Sequence, residues 1–252
     1  MAKQQVAAKK QSKMVPFDTS ILEEDAGLGN EGVSQEDLAL PFLKILNKPD
    51  KELDAKMGDI INTVTNEVFD GEKGIRVVPC VYQRRFLHWL PRGNGTSAPL
   101  KIYAPSEERP KTERSADNVD LVVDGEGDYL QETAQQFVLV EQENGRWSEC
   151  LIAMKSTQLK KSRKWNSMIQ SRVMTGKNGD FNPPRFAYVY HLKTIDESNR
   201  KGEWQGWEIS LDSEVQNMDT YTQAKRFAES INRGDVEVKH SADEVQDENV
   251  PF

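Results

Sequence analysis

Residues 75–90 (IRVVPCVYQRRFLHWL) are a long, mostly β-favouring run, and they constrain the fold more than any other stretch of the chain. β-Branched and aromatic side chains suit a pleated, half-buried surface, so the middle of the chain is committed to a sheet. Pro79 cannot donate to a strand ladder and marks a bulge or bend. Alternate side chains of a strand share a face. Tyr82, Arg84, Phe86 and His88 therefore fall on one side, and Arg85 and Trp89 on the other. Each side pairs a cation with an aromatic ring. One side must be buried, which leaves open whether Phe86 or Trp89 belongs to the core.

The flanking segments extend the sheet. Residues 38–46 (LALPFLKIL) can bury themselves, and Pro41 disfavours a central helix position, so an extended segment or short broken turn is expected. Residues 59–64 and 68–69 read as a strand with a hairpin-like return. Residues 92–127 differ: Gly93, Asn94, Gly95, Pro99, Pro105, Pro110 and many charges mark an irregular insertion, with short strands at 100–103 and 119–123. Loops of that length are usually functional or disordered. Strands are expected at 135–142 and 146–155, joined at Asn144-Gly145, a strong hairpin signal. A helix follows over 156–174, capped by Ser156 or Thr157, with Leu159, Trp165, Ile169 and Val173 on one face. Strands at 185–195 and 203–211 precede a second helix over 212–232. Its core-facing residues are Val215, Met218, Tyr221, Ala224, Phe227, Ala228 and Ile231, and Gly234 is its terminator.

From residue 75 the order is three strands, a helix, two strands and a C-terminal helix. Spacing alone gives a half-buried β-barrel or sandwich with helices. The connectivity is that of an oligonucleotide-binding (OB) fold, a five-stranded Greek-key barrel with a helix between strands 3 and 4. The expected class is thus mainly β with helices (α+β). A flexible N-terminal arm is expected over 1–36 and an OB-fold DNA-binding domain over 37–232, carrying the insertion at about 93–127. A disordered acidic tail is expected over 233–252.

A chain of 252 residues has ample length for a core. No apolar run approaches the roughly 18 residues that span a bilayer, so no membrane partner is expected. The Lys- and Gln-rich start lacks the apolar stretch of a secretory signal. Cys80 and Cys150 offer neither a disulfide framework nor zinc spacing, and a cytoplasmic location follows from their number and setting. The net charge of −8 argues at first against nucleic acid, but its distribution reverses that impression. Residues 1–13 carry Lys3, Lys9, Lys10 and Lys13 and no acid, and residues 18–37 carry acids and no base. Between 155 and 185, Lys160, Lys161, Arg163, Lys164, Arg172 and Lys177 face the single acid Asp180. A polyanion meets the local patch, not the sum over the chain.

Single strands are held by a positive groove with aromatic platforms on which bases stack. Three stretches offer both. The first is Arg84, Arg85, Phe86, Trp89 and Arg92; the second is Lys160, Lys161, Arg163, Lys164 and Trp165, with Arg172 and Lys177 beyond. The third is Arg185, Tyr188 and Tyr190 beside Trp204 and Trp207. A charge run is usually a solvated helix face and a helical Trp usually a core anchor, so these rings divide between core and surface. Enzymatic signals are poor, and neither catalysis nor a cofactor is expected. Residues 71–74 (GEKG) have the wrong spacing for a phosphate loop. Asp120, Asp124, Glu126 and Asp128 could collect a metal, although D-G-E-G-D reads better as an acidic turn. His88, His191 and His240 are scattered, with no triad context.

The chain ends in an acidic run closed by Val250-Pro251-Phe252. Such a tail cannot bury enough apolar surface to offset its entropy. Its last ring and α-carboxylate suit capture in a partner's pocket. Asp247, Glu248, Val250, Pro251 and Phe252 resemble the C-terminal tip of bacterial single-stranded DNA-binding proteins, with Asn249 where another acid is usual. Phage single-stranded DNA-binding proteins commonly end in a similar way. A looser resemblance, carried by Pro41 to Leu46, Gly58 to Thr65 and Trp89 to Arg92, is to proteins of tailed-phage replication modules. These resemblances imply sequence-independent binding of single-stranded DNA. They also imply a tail that recruits a polymerase, primase–helicase or nuclease. A strand-annealing mediator and a metal-dependent nuclease are the alternatives, and a homodimer is compatible with the edge strands and the apolar C-terminal helix.

Overall fold

The long β-favouring run folds as one strand, Ile75–Trp89, and every other part of the sheet is placed by its neighbours. The computed structural model describes residues 20–34, 37–91, 98–200 and 202–240. In chain order the elements are α1 (Ser20–Glu24), β1 (Leu43–Ile45), β2 (Ile60–Asn62), β3 (Val68–Phe69) and β4 (Ile75–Trp89). Next come β5 (Lys101–Tyr103), β6 (Thr112–Arg114), β7 (Asp120–Val122), β8 (Tyr129–Glu141), β9 (Trp147–Lys155) and α2 (Leu159–Gln170). The chain continues through β10 (Met174–Gly176), β11 (Gly179–Phe181), β12 (Tyr188–Asn199), β13 (Gly202–Glu214) and α3 (Met218–Arg233).

β4 pairs with β8 from Val77↔Val140 to Trp89↔Tyr129, and the register shifts between Pro79 and Val81, where the proline was expected to force a bulge. The start of β4 also pairs with β12, and its end with β5. β8 passes the sheet on to β9, and β12 to β13. The principal strand order is therefore β13-β12-β4-β8-β9, antiparallel throughout. The short strands expected in the insertion form as β5 and β7, which pair with β4 and the start of β8, and the insertion adds β6, paired with β7. β6, Thr-Glu-Arg with every side chain exposed, has no apolar alternation that would announce it.

The closed barrel is not formed by strand pairing. Among the described residues nothing pairs β9 with β13, and the sheet stays open. The N-terminal apolar segment lies in that opening instead. Phe42 bridges Leu151 of β9, and Leu151 N donates to Pro41 O at 2.8 Å. On the opposite side, Gln205 N of β13 donates to Asn47 Oδ1 at 2.8 Å. Residues 41–47 thus take edge hydrogen bonds that direct closure would need, and Phe42, Leu43 and Ile45 are buried there.

Two apolar clusters dominate the core. One joins Ala134, Ile152 and Met154 to Trp165 and Ile169 of α2 and to Tyr190. The other joins Val78, Val81, Phe137 and Leu151 to Ala224, Phe227 and Ile231 of α3. Each large side chain so buried contributes roughly 1.5–3 kcal/mol. α2 is shorter than its pattern predicts. The chain leaves the helix after Gln170, so Val173 is 58% exposed and not on the buried face. α3 starts later than expected because β13 runs to Glu214. Asn217 caps it by accepting from Asp219 N at 2.7 Å, and Met218 is exposed. Gly234 ends it with φ of 84°, as the sequence predicts.

The acidic tail does not begin at 233. Val236 and Val238 pack on the second cluster, and His240 is buried. The His240 ring meets Phe42 edge-on at 5.4 Å, and Gln135 Nε2 hydrogen-bonds His240 Nε2 at 2.7 Å. Burial pushes both thiols up, Cys150 to about 12, so neither cysteine is a thiolate at neutral pH. Among the described residues no helix is long and apolar enough to cross a membrane.

Candidate nucleic-acid interface

The alternation of β4 divides its aromatic and cationic residues cleanly. Tyr82, Phe86 and His88 are half-buried and Arg84 is exposed, whereas Leu87 and Trp89 on the other side are buried. On the open side each ring carries a guanidinium. Arg185 lies 5.9 Å from the Tyr82 ring centre, Arg84 lies 5.0 Å from that of Phe86, and Arg109 lies 3.6 Å from the same ring. Such contacts place a cation beside a ring, and where the guanidinium is left exposed it can take a base or a phosphate. His88 Nε2 is occupied by Asp128 at 3.1 Å.

This stripe meets a groove of about 920 Å³ between α2, the β6–β7 hairpin and the start of β8. Lys160, Lys161, Arg163 and Lys164 line one wall and Arg114 the other. Arg163 and Arg84 both reach Glu132 Oε1, at 3.5 and 3.1 Å, so that carboxylate joins stripe and groove. Arg114 pairs with Asp120 at 2.8 Å, and Lys161 with Glu197 at 2.7 Å. Lys160 and Lys164 have no ion pair among the described residues. The partly exposed pairs on Glu132 and Asp120 are each worth about 0–1 kcal/mol, so an incoming phosphate can replace those two carboxylates at little cost.

Glu197 is the most firmly built of these acids. Burial alone would raise its pKa. Hydrogen bonds from Lys161, Gln158 Nε2 and Trp204 Nε1, the last two at 3.0 Å, outweigh that effect and hold it below the ordinary carboxylate value. Gly206 makes room for the arrangement, since a Cβ there would overlap the Glu197 carboxylate and crowd Gln158.

The remaining residues predicted for the site divide among three places. Arg85 projects from the opposite face to Arg84, with Nη2 on Gln83 Oε1 at 2.6 Å. Trp89, Trp165, Tyr188 and Tyr190 are buried, and none of them lines the groove. Arg172 and Arg185 gather around Tyr190 in a polar cluster beside α2, apart from the groove. Arg185 donates to Gln136 Oε1 at 2.7 Å and Asn166 Oδ1 at 3.0 Å. Burial pulls its pKa down to about 10, which leaves it cationic at neutral pH. Lys177 sits on the exposed turn between β10 and β11, and Arg92, Asp247, Glu248, Val250, Pro251 and Phe252 lie outside the described residues. Asp120 and Asp128 are committed to Arg114 and His88, and among the described residues no three His, Cys, Asp or Glu gather as metal ligands.

Arg109, Arg114 and Glu132 were missed by sequence reasoning. Arg109 and Arg114 lie in a charged insertion without periodicity, and nothing in their spacing points them at α2 or Phe86.

A family profile described as Pam3 phage gp34-like protein matches residues 9–237. That span takes in β4, the insertion, α2 and α3. The chain belongs to this family. Membership makes it a phage protein. The matched region includes the stripe and both walls of the groove, and it stops before the acidic run of residues 243–252. No curated protein and no solved structure matches the chain.

Proposed function

We propose that this family member is a sequence-independent single-stranded DNA-binding protein of a phage replication or recombination module. The observation that carries the reading is the junction at Glu132, where an aromatic–guanidinium stripe on β4 meets a lysine- and arginine-lined groove. Stacking on rings or guanidinium planes is sequence-tolerant because every base has a π-face. Phosphates bind by displacing Glu132 and Asp120 from their cations and by meeting Lys160 and Lys164. The strand order, with a helix between the third and fourth principal strands, supports an OB-type scaffold whose closing seam is filled by residues 41–47.

The tail then acts on this interface in two ways. Tethered to buried His240, its acids compete with DNA at high effective concentration, and Phe252 recruits replication or recombination proteins. Fluorescent oligonucleotides titrated at two salt concentrations test the reading. Single strands are expected to bind more tightly than duplex, with affinity falling steeply as salt rises. Salt-insensitive binding, or equal affinity for duplex, would refute it. Deleting residues 243–252 is expected to tighten DNA binding, and weaker binding by the shortened chain would exclude competition.

A further inference from the structure

Beside the groove lies a cavity of about 90 Å³. Trp89, Trp204 and Trp207 line it, with Leu87 and Ile45. Trp204 and Gln131 line the groove as well, so the two spaces adjoin.

Register explains the polar side of the cavity. Leu87 pairs with Gln131, and Arg85 with Thr133, so Gln131 and Thr133 lie on the Trp89 face of β4 and β8. Trp89, Thr133 and Gln131 are 3%, 2% and 9% exposed. Among the described residues Trp89 Nε1 and Thr133 Oγ1 are buried with no hydrogen-bond partner, and the Gln131 amide lies beside them at the border with the groove. Buried polar groups left unpaired are costly, and two of them beside the Gln131 amide call for a ligand that can pair with them.

Aromatic walls with a hydroxyl, an amide and an indole N–H suit a flat ring that carries acceptors and donors around its edge. A phenyl ring such as that of Phe252 would leave those groups unpaired. At about 90 Å³ the cavity is smaller than the roughly 150 Å³ that takes benzene, so a fused pair of rings does not fit and a single ring enters by its edge from the adjoining groove. We propose that the cavity captures one pyrimidine base of a single strand whose phosphates lie along the groove. The inference rests on the single-stranded DNA reading above and adds to it a preference for base composition.

The test uses the full chain with oligo(dC) and oligo(dA) of equal length, comparing the native protein with a Gln131→Leu/Thr133→Val variant. The native chain is expected to favour oligo(dC) by about tenfold, within the range that one stacked base supplies. The variant is expected to lose most of that ratio while keeping its salt dependence. Ala153→Leu, which fills the cavity from β9, is expected to do the same and serves if the double variant does not fold by circular dichroism. An unchanged ratio in a folded variant overturns the proposal. So does native binding that is indifferent to composition, although this leaves the single-strand reading intact. No oligonucleotide binding at all overturns both. If removing residues 241–252 changes tryptophan emission without DNA, while oligo(dC) changes it in neither chain, the cavity is the tail's seat and the proposal falls.

Discussion

The two sides of β4 carry nearly the same chemistry and have opposite fates. Arg84 and Phe86 stand open on one side, while Trp89 is sealed on the other and Arg85 turns back onto its own strand. Residue type does not separate them. What separates them is the cover. On the Trp89 side lie residues 42–45, β13 and His240, whereas on the Phe86 side lie Arg84, Arg109 and Glu132, the last reached by Arg163. A cation beside a ring becomes a binding element only where the tertiary structure leaves it uncovered.

Substitutions can break or sharpen this contrast. The largest effect is expected on stability. Trp89→Ala should lower unfolding free energy by about 3–5 kcal/mol in urea titration, the cost of removing a buried Trp, and Phe86→Ala by no more than about 1.5 kcal/mol. Equal losses would mean that both sides are core. DNA affinity should show the reverse order. Removing Arg84, Lys160 and Lys164 together is expected to weaken single-strand binding about a hundredfold at low salt and to reduce the salt slope by roughly 2. Arg85→Ala should change binding by less than about twofold, and a drop matching the triple variant's would put the groove on the wrong side. Phe86→Ala is expected to weaken binding about tenfold through lost stacking, with an unchanged slope. The smallest effect concerns acid. Because Glu197 is held below its ordinary pKa, its contribution to stability is complete at neutral pH and is lost as pH falls through the folded-state value. Glu197→Gln should flatten that part of the acid-unfolding profile, and an unaltered profile would show that the Lys161 pair does not matter.

The sheet was legible where alternation was strong. β4 with its Pro79 bulge, the β8–β9 hairpin, the Gly234 terminator and the helix between β9 and β12 all follow from local signals. The open seam was not legible, because it depends on which edge residues 41–47 reach, and no local pattern encodes that. The site was half legible. Arg84, Phe86 and the α2 lysines and Arg163 were found by charge and period. Arg109 and Arg114 were not, since exposed residues in an insertion have no periodic constraint. Trp165, Tyr188 and Tyr190 satisfied the composition of a stacking platform, but bulky rings at sheet–helix contacts are taken by the core first. The packing of Val236, Val238 and His240 was hidden by acidic neighbours that make the same residues read as tail.

The strip that fills the seam has a consequence for how the chain is made. Asn47 meets Gln205 across 158 positions of sequence, and Phe42 must wait for Leu151. Contacts of such range form late, because loop closure precedes any gain from them. During synthesis at about 5–20 residues per second, the apolar residues 42–45 emerge on the order of ten seconds before both of their flanking strands exist. For that interval β1 has only its local partner β2, and its apolar side chains lack the strands that cover them. A nascent-chain holdase is expected to bind there, and slowed translation between residues 47 and 205 should lower the yield of folded protein.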